Sequence, residues 1–256
     1  MSPNPPAVAS DSRPAVAGLR DWFATPTGRR LARHERAAVR ELLGNVFGYY
    51  LVQVGDPGWR DAALRDCRVR RKFVLDTTDT APAAGADYER AAVRDSEWPL
   101  RADSIDAVVL PHTLDFSDSP HQVLREAERV LIGEGRLVVV GFSPWGRYGL
   151  RRWLTTRRQA PYNAAFIRLG RLADWLELLG MKIDTVRPVH IRPSREPARS
   201  RWPGAGLAAA YAVLAVRRRA TLTPLRPRAA RFSIAARPEI ADQGRVPTPR
   251  SGPPHS

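Results

Sequence analysis

The chain is poor in several residue types. Its 256 residues contain one cysteine, Cys67, and two methionines, and the only lysines are Lys72 and Lys182. A single cysteine excludes an internal disulfide and a cysteine-built metal site, and Cys67 itself reads as a small buried residue. Nothing approaches the run of about 18 apolar residues that a membrane span needs. The best candidate, residues 206–216, runs straight into Arg217, Arg218 and Arg219. The N-terminus lacks a basic segment followed by an apolar core, so no secretory signal is expected. These absences lead us to expect a cytoplasmic protein with no membrane partner and no metal. The net charge of +15 is almost all arginine, in a chain also rich in alanine and proline. That mixture fits a GC-rich genome as well as a basic binding surface. No basic stretch with interleaved aromatics is visible along the sequence, which disfavours a nucleic-acid partner.

What is present is patterned. Residues 1–17 read as a disordered leader and residues 221–256, dominated by Pro, Arg, Gly and Ser, as a disordered tail. Between them lies one domain, residues 18–220. Its first part, 18–47, reads as a cap of two helices, interrupted at Thr25-Pro26-Thr27-Gly28. Residues 49–54 form a first strand, stopped by Gly55-Asp56-Pro57-Gly58. A short helix is expected over 61–66, a second strand over 71–75 and loop over 79–87. Residues 105–110 and 136–141 are apolar at nearly every position, as in central strands covered on both faces. Between them, 120–131 carries Val123, Leu124, Ala127, Val130 and Leu131 at helical spacing. Helices follow over 147–156 and 163–179, and residues 182–189 and 207–216 read as a final antiparallel pair. Alternating strand and helix implies a doubly wound, mostly parallel α/β sheet, with ligands beyond the carboxyl ends of the strands.

Residues 94–144 narrow the reading. An acidic loop with Asp95, Glu97, Pro99 and Leu100 precedes a strand containing Asp106, Val108 and Val109. A helix follows with Leu124, Arg125, Glu126, Arg129, Val130 and Leu131, then Gly133-Glu134-Gly135. This stretch resembles the class I S-adenosylmethionine-dependent methyltransferases, especially the type 11 group, whose loop reads D-x-E-x-L-P and whose helix reads L-R-E-x-x-R-V-L. The resemblance implies a Rossmann-like sheet of seven strands, S-adenosylmethionine as cofactor and a methyl acceptor, which the absence of a separate RNA-binding module suggests is a small molecule. In such a site Asp95, Ser96 and Glu97 would meet the adenine. Asp76, which stands 21 positions after Gly55, would accept from the ribose hydroxyls, with Thr77 beside it. Gln53, Gly55, Asp56 and Gly58 would form the turn against the amino-acid end, and Pro111 would line the pocket after the fourth strand.

The turn departs from the family's acidic residue followed by G-x-G-x-G. Gln53 replaces the acid, Pro57 and Trp59 replace the second and third glycines, and Pro57 removes a backbone donor. A methyltransferase-like protein that has lost catalysis is therefore a second reading. An RNA methyltransferase using Arg151, Arg152, Arg157, Arg158 and the 217–219 cluster is a third. A nicotinamide-dependent oxidoreductase is disfavoured because G-x-G-x-x-G is absent. His112 is the candidate general base, against the alternative that it only packs. Asp115 is a weaker candidate, and His121, His34 and His190 have no evident partners. Phe142, Trp145 and Tyr148 are candidate walls of an acceptor pocket. Oligomeric state is not legible.

Overall fold

The computed structural model describes residues 13–59, 64, 67–76, 88–93, 97–154, 160–190 and 208–218. Seven strands form one sheet in the order β3-β2-β1-β4-β5-β7-β6. They are β1 (Phe47–Val54), β2 (Arg68–Asp76), β3 (Glu89–Ala92), β4 (Ile105–Pro111), β5 (Leu131–Phe142), β6 (Met181–Val189) and β7 (Ala210–Arg217). The first five are parallel and β7 is antiparallel to both β5 and β6. The expected mostly parallel seven-stranded sheet and its final antiparallel pair are thus observed.

Side-chain alternation divides the core into two layers. Ala107, Val109, Val138 and Val140 join one buried cluster, Val108, Leu110, Leu137 and Val139 the other. The first is covered by α1 (Arg13–Ala24), α2 (Pro26–Leu43) and α5 (Arg147–Leu154), the second by α4 (Pro120–Val130) and α6 (Leu169–Leu178). The two N-terminal helices are therefore more than a lid. They belong to one of the flanking layers, with α2 against β5, β6 and β7. Residues 25–28 start the second of them: Thr25 is its N-cap, accepting from the Gly28 amide at 3.1 Å, and Pro26 takes the first turn.

Several boundaries differ from expectation. α1 begins at Arg13, inside the stretch read as leader. The helix expected from 163 starts only at Leu169, because residues 161–164 turn and Phe166 adopts φ 48°, which an α-helix excludes. Gly133-Glu134-Gly135 is no free turn but a bulge inside β5, with Glu134 at φ 69° between the pairings Ile105–Leu131 and Ala107–Arg136. β3 and the four-residue helix α3 (Thr113–Phe116) were not expected. Most of the helix expected over 61–66, and all of the loop over 79–87 and the tail, lie outside the described residues.

Candidate functional site at the carboxyl ends of the strands

The first element of the site is the turn after β1. Gly55 has φ 84° and Gly58 φ 88°, a region that L side chains rarely adopt. The Gly55 amide donates to the Leu75 carbonyl at 2.7 Å, which ties the turn to β2. Gln53 is buried and donates through Nε2 to the Gly55 carbonyl at 2.9 Å. Thr113 Oγ1 donates to the Val54 carbonyl and lies 3.1 Å from where a Gly55 Cβ would sit. The Asp56 carboxylate accepts from the Gly58 amide at 2.8 Å. Pro57 is buried and has no amide to give. The Gly55 amide is thus taken by β2 and the Gly58 amide by the turn itself.

Asp76 ends β2 and is buried. Its Oδ2 is shared by two arginines, Arg20 Nη2 from α1 and Arg90 Nη1 from β3, the latter at 3.2 Å. Arg90 Nη2 also pairs with Asp56 Oδ2 at 2.7 Å, and Arg20 Nε donates to the Asp56 carbonyl at 2.7 Å. Burial alone would lower the Arg90 pKa; the Asp56 and Tyr88 oxygens outweigh it and hold Arg90 above its ordinary value. Helix α1, the glycine turn, β2 and β3 are laced together where the ribose carboxylate was expected.

His112 follows β4 at φ 57° and is buried. Its Nδ1 lies 3.0 Å from Asp115 Oδ2 and its Nε2 3.0 Å from Glu35 Oε1 of α2. Asp115 Oδ2 also accepts the Phe142 amide at 2.9 Å. Burial alone would lower the imidazole pKa. The Glu35 charge and the hydrogen bonds to both carboxylates more than offset it and raise His112 to about 9. At neutral pH it is an imidazolium donating both protons. Both ring nitrogens are enclosed by carboxylates, the arrangement of the packing alternative to a general base. His112 joins α2, β4 and β5, boxed by the rings of Phe142 at 4.1 Å, Phe23 at 5.6 Å and Trp59 at 6.3 Å.

The acidic loop before β4 is held from α4. Arg129 donates to the Leu100 carbonyl at 3.0 Å and the Trp98 carbonyl at 3.2 Å, and Glu126 accepts from Arg129 at 2.7 Å and from the Trp98 amide at 3.4 Å. The L-R-E-x-x-R-V-L helix thus clasps the loop that precedes its own strand. Glu97 is exposed and Trp98 is buried. Asp95, Ser96 and Thr77 lie outside the described residues.

Of the residues expected at the cofactor, Gln53, Gly55, Asp56, Gly58 and Asp76 form one hydrogen-bonded group, and buried Pro111 adjoins His112 at the end of β4. Phe142 and Tyr148 are spent in the core, and Trp145 alone of the three candidate pocket walls is exposed. His121 stacks beside Trp175 at 3.9 Å. Glu35, Arg20 and Arg90 were not anticipated. Glu35 carried a readable signal: with Leu31, Val39 and Leu42 it occupies the apolar face of α2, where a charged side chain needs a partner. Arg20 and Arg90 carried none, because their partners lie 56 and 14 residues away.

Residues 66–139 match the Methyltransferase domain family of type 11. The chain is 28% identical over 173 residues to the uncharacterized protein YafS of Escherichia coli K12, covering 67% of this chain and 69% of that one. It is 30% identical over 184 residues to an uncharacterized protein of Mycobacterium tuberculosis H37Rv, covering 70% of this chain and 62% of its relative. Among solved structures, a Thermotoga maritima S-adenosylmethionine-dependent methyltransferase superposes with a TM-score of 0.59 at 18% identity, over 81% of this chain and 97% of its own. The strand order and the two-sided helical cover are those of the S-adenosylmethionine-dependent methyltransferase fold, and residues 66–139 carry the match to the methyltransferase domain family.

Proposed function

We propose that the protein binds S-adenosylmethionine at the ends of β1, β2 and β4 and transfers its methyl group to a small acceptor. The observation that carries this reading is Asp76, a buried carboxylate at the end of β2 packed against the positive-φ turn at Gly55. Gly55 allows the positive φ with which the turn passes Thr113. Asp76 supplies the acceptor that two ribose hydroxyls want. Arg129 and Glu126 would steady the adenine loop with Asp95, Ser96 and Glu97. The cofactor, when bound, supplies a methyl on a positively charged sulfur, an excellent leaving group. The chain's task is then to orient the acceptor and exclude water. With His112 protonated, no base at that position is required, which suits an acceptor already nucleophilic. Trp145, exposed just beyond β5, is the side chain best placed to touch it.

A second reading, a methyltransferase-like protein that has lost catalysis and serves as a binding or regulatory partner, is favoured by two observations. The two arginines on Asp76 compete with a ribose, and the turn lacks the amide that Pro57 removes. An RNA acceptor is supported less. Arg217 is engaged by Asp103 and by Glu128 at 2.7 Å, so it does not stand ready for phosphate.

Calorimetric titration with S-adenosylmethionine and its demethylated product separates these readings. Saturable binding weakened by Asp76→Ala supports cofactor use, and radiolabelled methyl transfer to a metabolite extract supports catalysis. Binding without transfer selects the second reading. Silence at millimolar cofactor overturns the first reading and favours the second.

A further inference from the structure

The opposite end of β1 carries a feature unrelated to the cofactor end. β1 pairs with β4 only over Leu51 to Gln53, whereas its pairing with β2 runs from Phe47 to Val54. Residues 47–50 therefore project with β2 as a two-stranded ribbon. The exposed edge of β1 is quieted by Asp106, whose Oδ2 accepts the amides of Tyr49 and Tyr50 at 2.9 Å each.

On this ribbon Phe47 is 63%, Tyr49 65% and Tyr50 41% exposed, three of the six large hydrophobic side chains that stand out to solvent among the described residues. Beside them, β2 presents Arg68, Arg70 and Arg71, all exposed. Phe47 is in register with Arg68 and Tyr50 with Arg71. The Arg68 guanidinium stands 5.4 Å over the Phe47 ring. Two acids border this group: Glu89, 3.3 Å from Arg71 with both side chains well exposed, and Asp106, whose carboxylate is taken up by the Tyr49 and Tyr50 amides. Aromatic and basic residues that look separate in the sequence are interleaved across two paired strands.

We propose that this ribbon docks single-stranded nucleic acid on the face that carries Phe47, Tyr49, Arg68 and Arg70, with bases stacking on the two rings and phosphates meeting the two arginines. Phe47 and Tyr49 lie on one side of the pleat, about 6.7 Å apart along the strand, so each ring can take its own base. Flat rings beside guanidinium groups are the platform that sequence-tolerant single-strand binding uses, and the net charge of +15 favours a polyanion. A membrane surface would want aliphatic side chains around the rings, and the exposed neighbours here are arginines. The ribbon lies about 25 Å from the glycine turn, a whole strand length. The docked strand is thus a tether, distinct from the methyl acceptor.

The test is fluorescence anisotropy of labelled 20-mers of oligo-uridylate and oligo-thymidylate with the full chain. Binding is expected to weaken about 7-fold between 50 and 200 mM salt, since two neutralised phosphates give a log–log slope of about −1.4. Phe47→Ser and Tyr49→Ser should each weaken it about 5- to 100-fold, and Arg68→Gln should flatten the slope by about 0.7. No oligonucleotide binding, or binding indifferent to these changes, overturns the proposal. So does retention on phosphatidylserine vesicles that these variants abolish while oligonucleotides fail to bind. Photocrosslinking of the unaltered protein to a 4-thiouridine 20-mer guards against variants that misfold. Adducts on the peptide carrying residues 47–50 support the ribbon, and adducts confined elsewhere refute it.

Discussion

The pairing of Glu35, His112 and Asp115 predicts a specific dependence of stability on pH. Unfolded, the imidazole titrates near 6.5; folded, it titrates at about 9. Between those values the folded chain holds a proton that the unfolded chain has released. The stabilisation is therefore fully present below pH 6.5, falls by about 1.4 kcal/mol per pH unit as pH rises, and is gone above about 9. The full loss is roughly 3 kcal/mol. At a urea slope of about 2 kcal/mol per molar, the midpoint should drop by about 1.5 M. Urea unfolding followed by tryptophan fluorescence at pH 6 to 10 measures it, with seven tryptophans as reporters. Glu35→Gln removes the charge that raises the imidazole most, so its decline should be distinctly shallower. Comparing the two proteins cancels groups that titrate alike in both. His112→Gln should be worse at neutral pH, by about 3–5 kcal/mol, because two buried carboxylates lose their common cation. An unaltered protein with a flat midpoint from pH 6.5 to 9, or a Glu35→Gln variant that declines as steeply, would refute the charge assignment.

Other predictions concern the cofactor end. Gly55→Ala places a Cβ at φ 84°, 3.1 Å from Thr113 Oγ1, and should cost about 1–3 kcal/mol in urea unfolding. Arg20→Ala removes one competitor for Asp76, and calorimetry should then show cofactor affinity rising roughly fivefold; a fall would mean that Arg20 helps to hold the ligand. Arg129→Ala unclasps the loop before β4 by losing hydrogen bonds worth about 1 kcal/mol each. It should weaken cofactor binding about tenfold while leaving the fold intact by circular dichroism.

The strands that form the middle of the sheet were legible because burial on both faces demands apolar residues at nearly every position, as in Ile105–Pro111. α4 was legible because one face repeats at helical spacing. β3 was not, since ERAA is exposed or half-buried throughout and carries no apolar period; it exists because β2 offers an edge. The start of α6 was misplaced because local spacing cannot report that Phe166 takes a left-handed backbone.

Chain chemistry by itself determined the alternation of strands and helices in this protein, the Gly55 turn and the presence of a carboxylate at the end of β2, since all three follow from local pattern and spacing. Only the tertiary structure decided what those groups meet. Asp76 is bridged by arginines from α1 and β3, and His112 is charged and enclosed. Aromatic and arginine residues 21 positions apart, such as Phe47 and Arg68, become neighbours. Each of these is an interaction through space between distant segments, and its strength depends on burial and distance, neither of which is written in residue order.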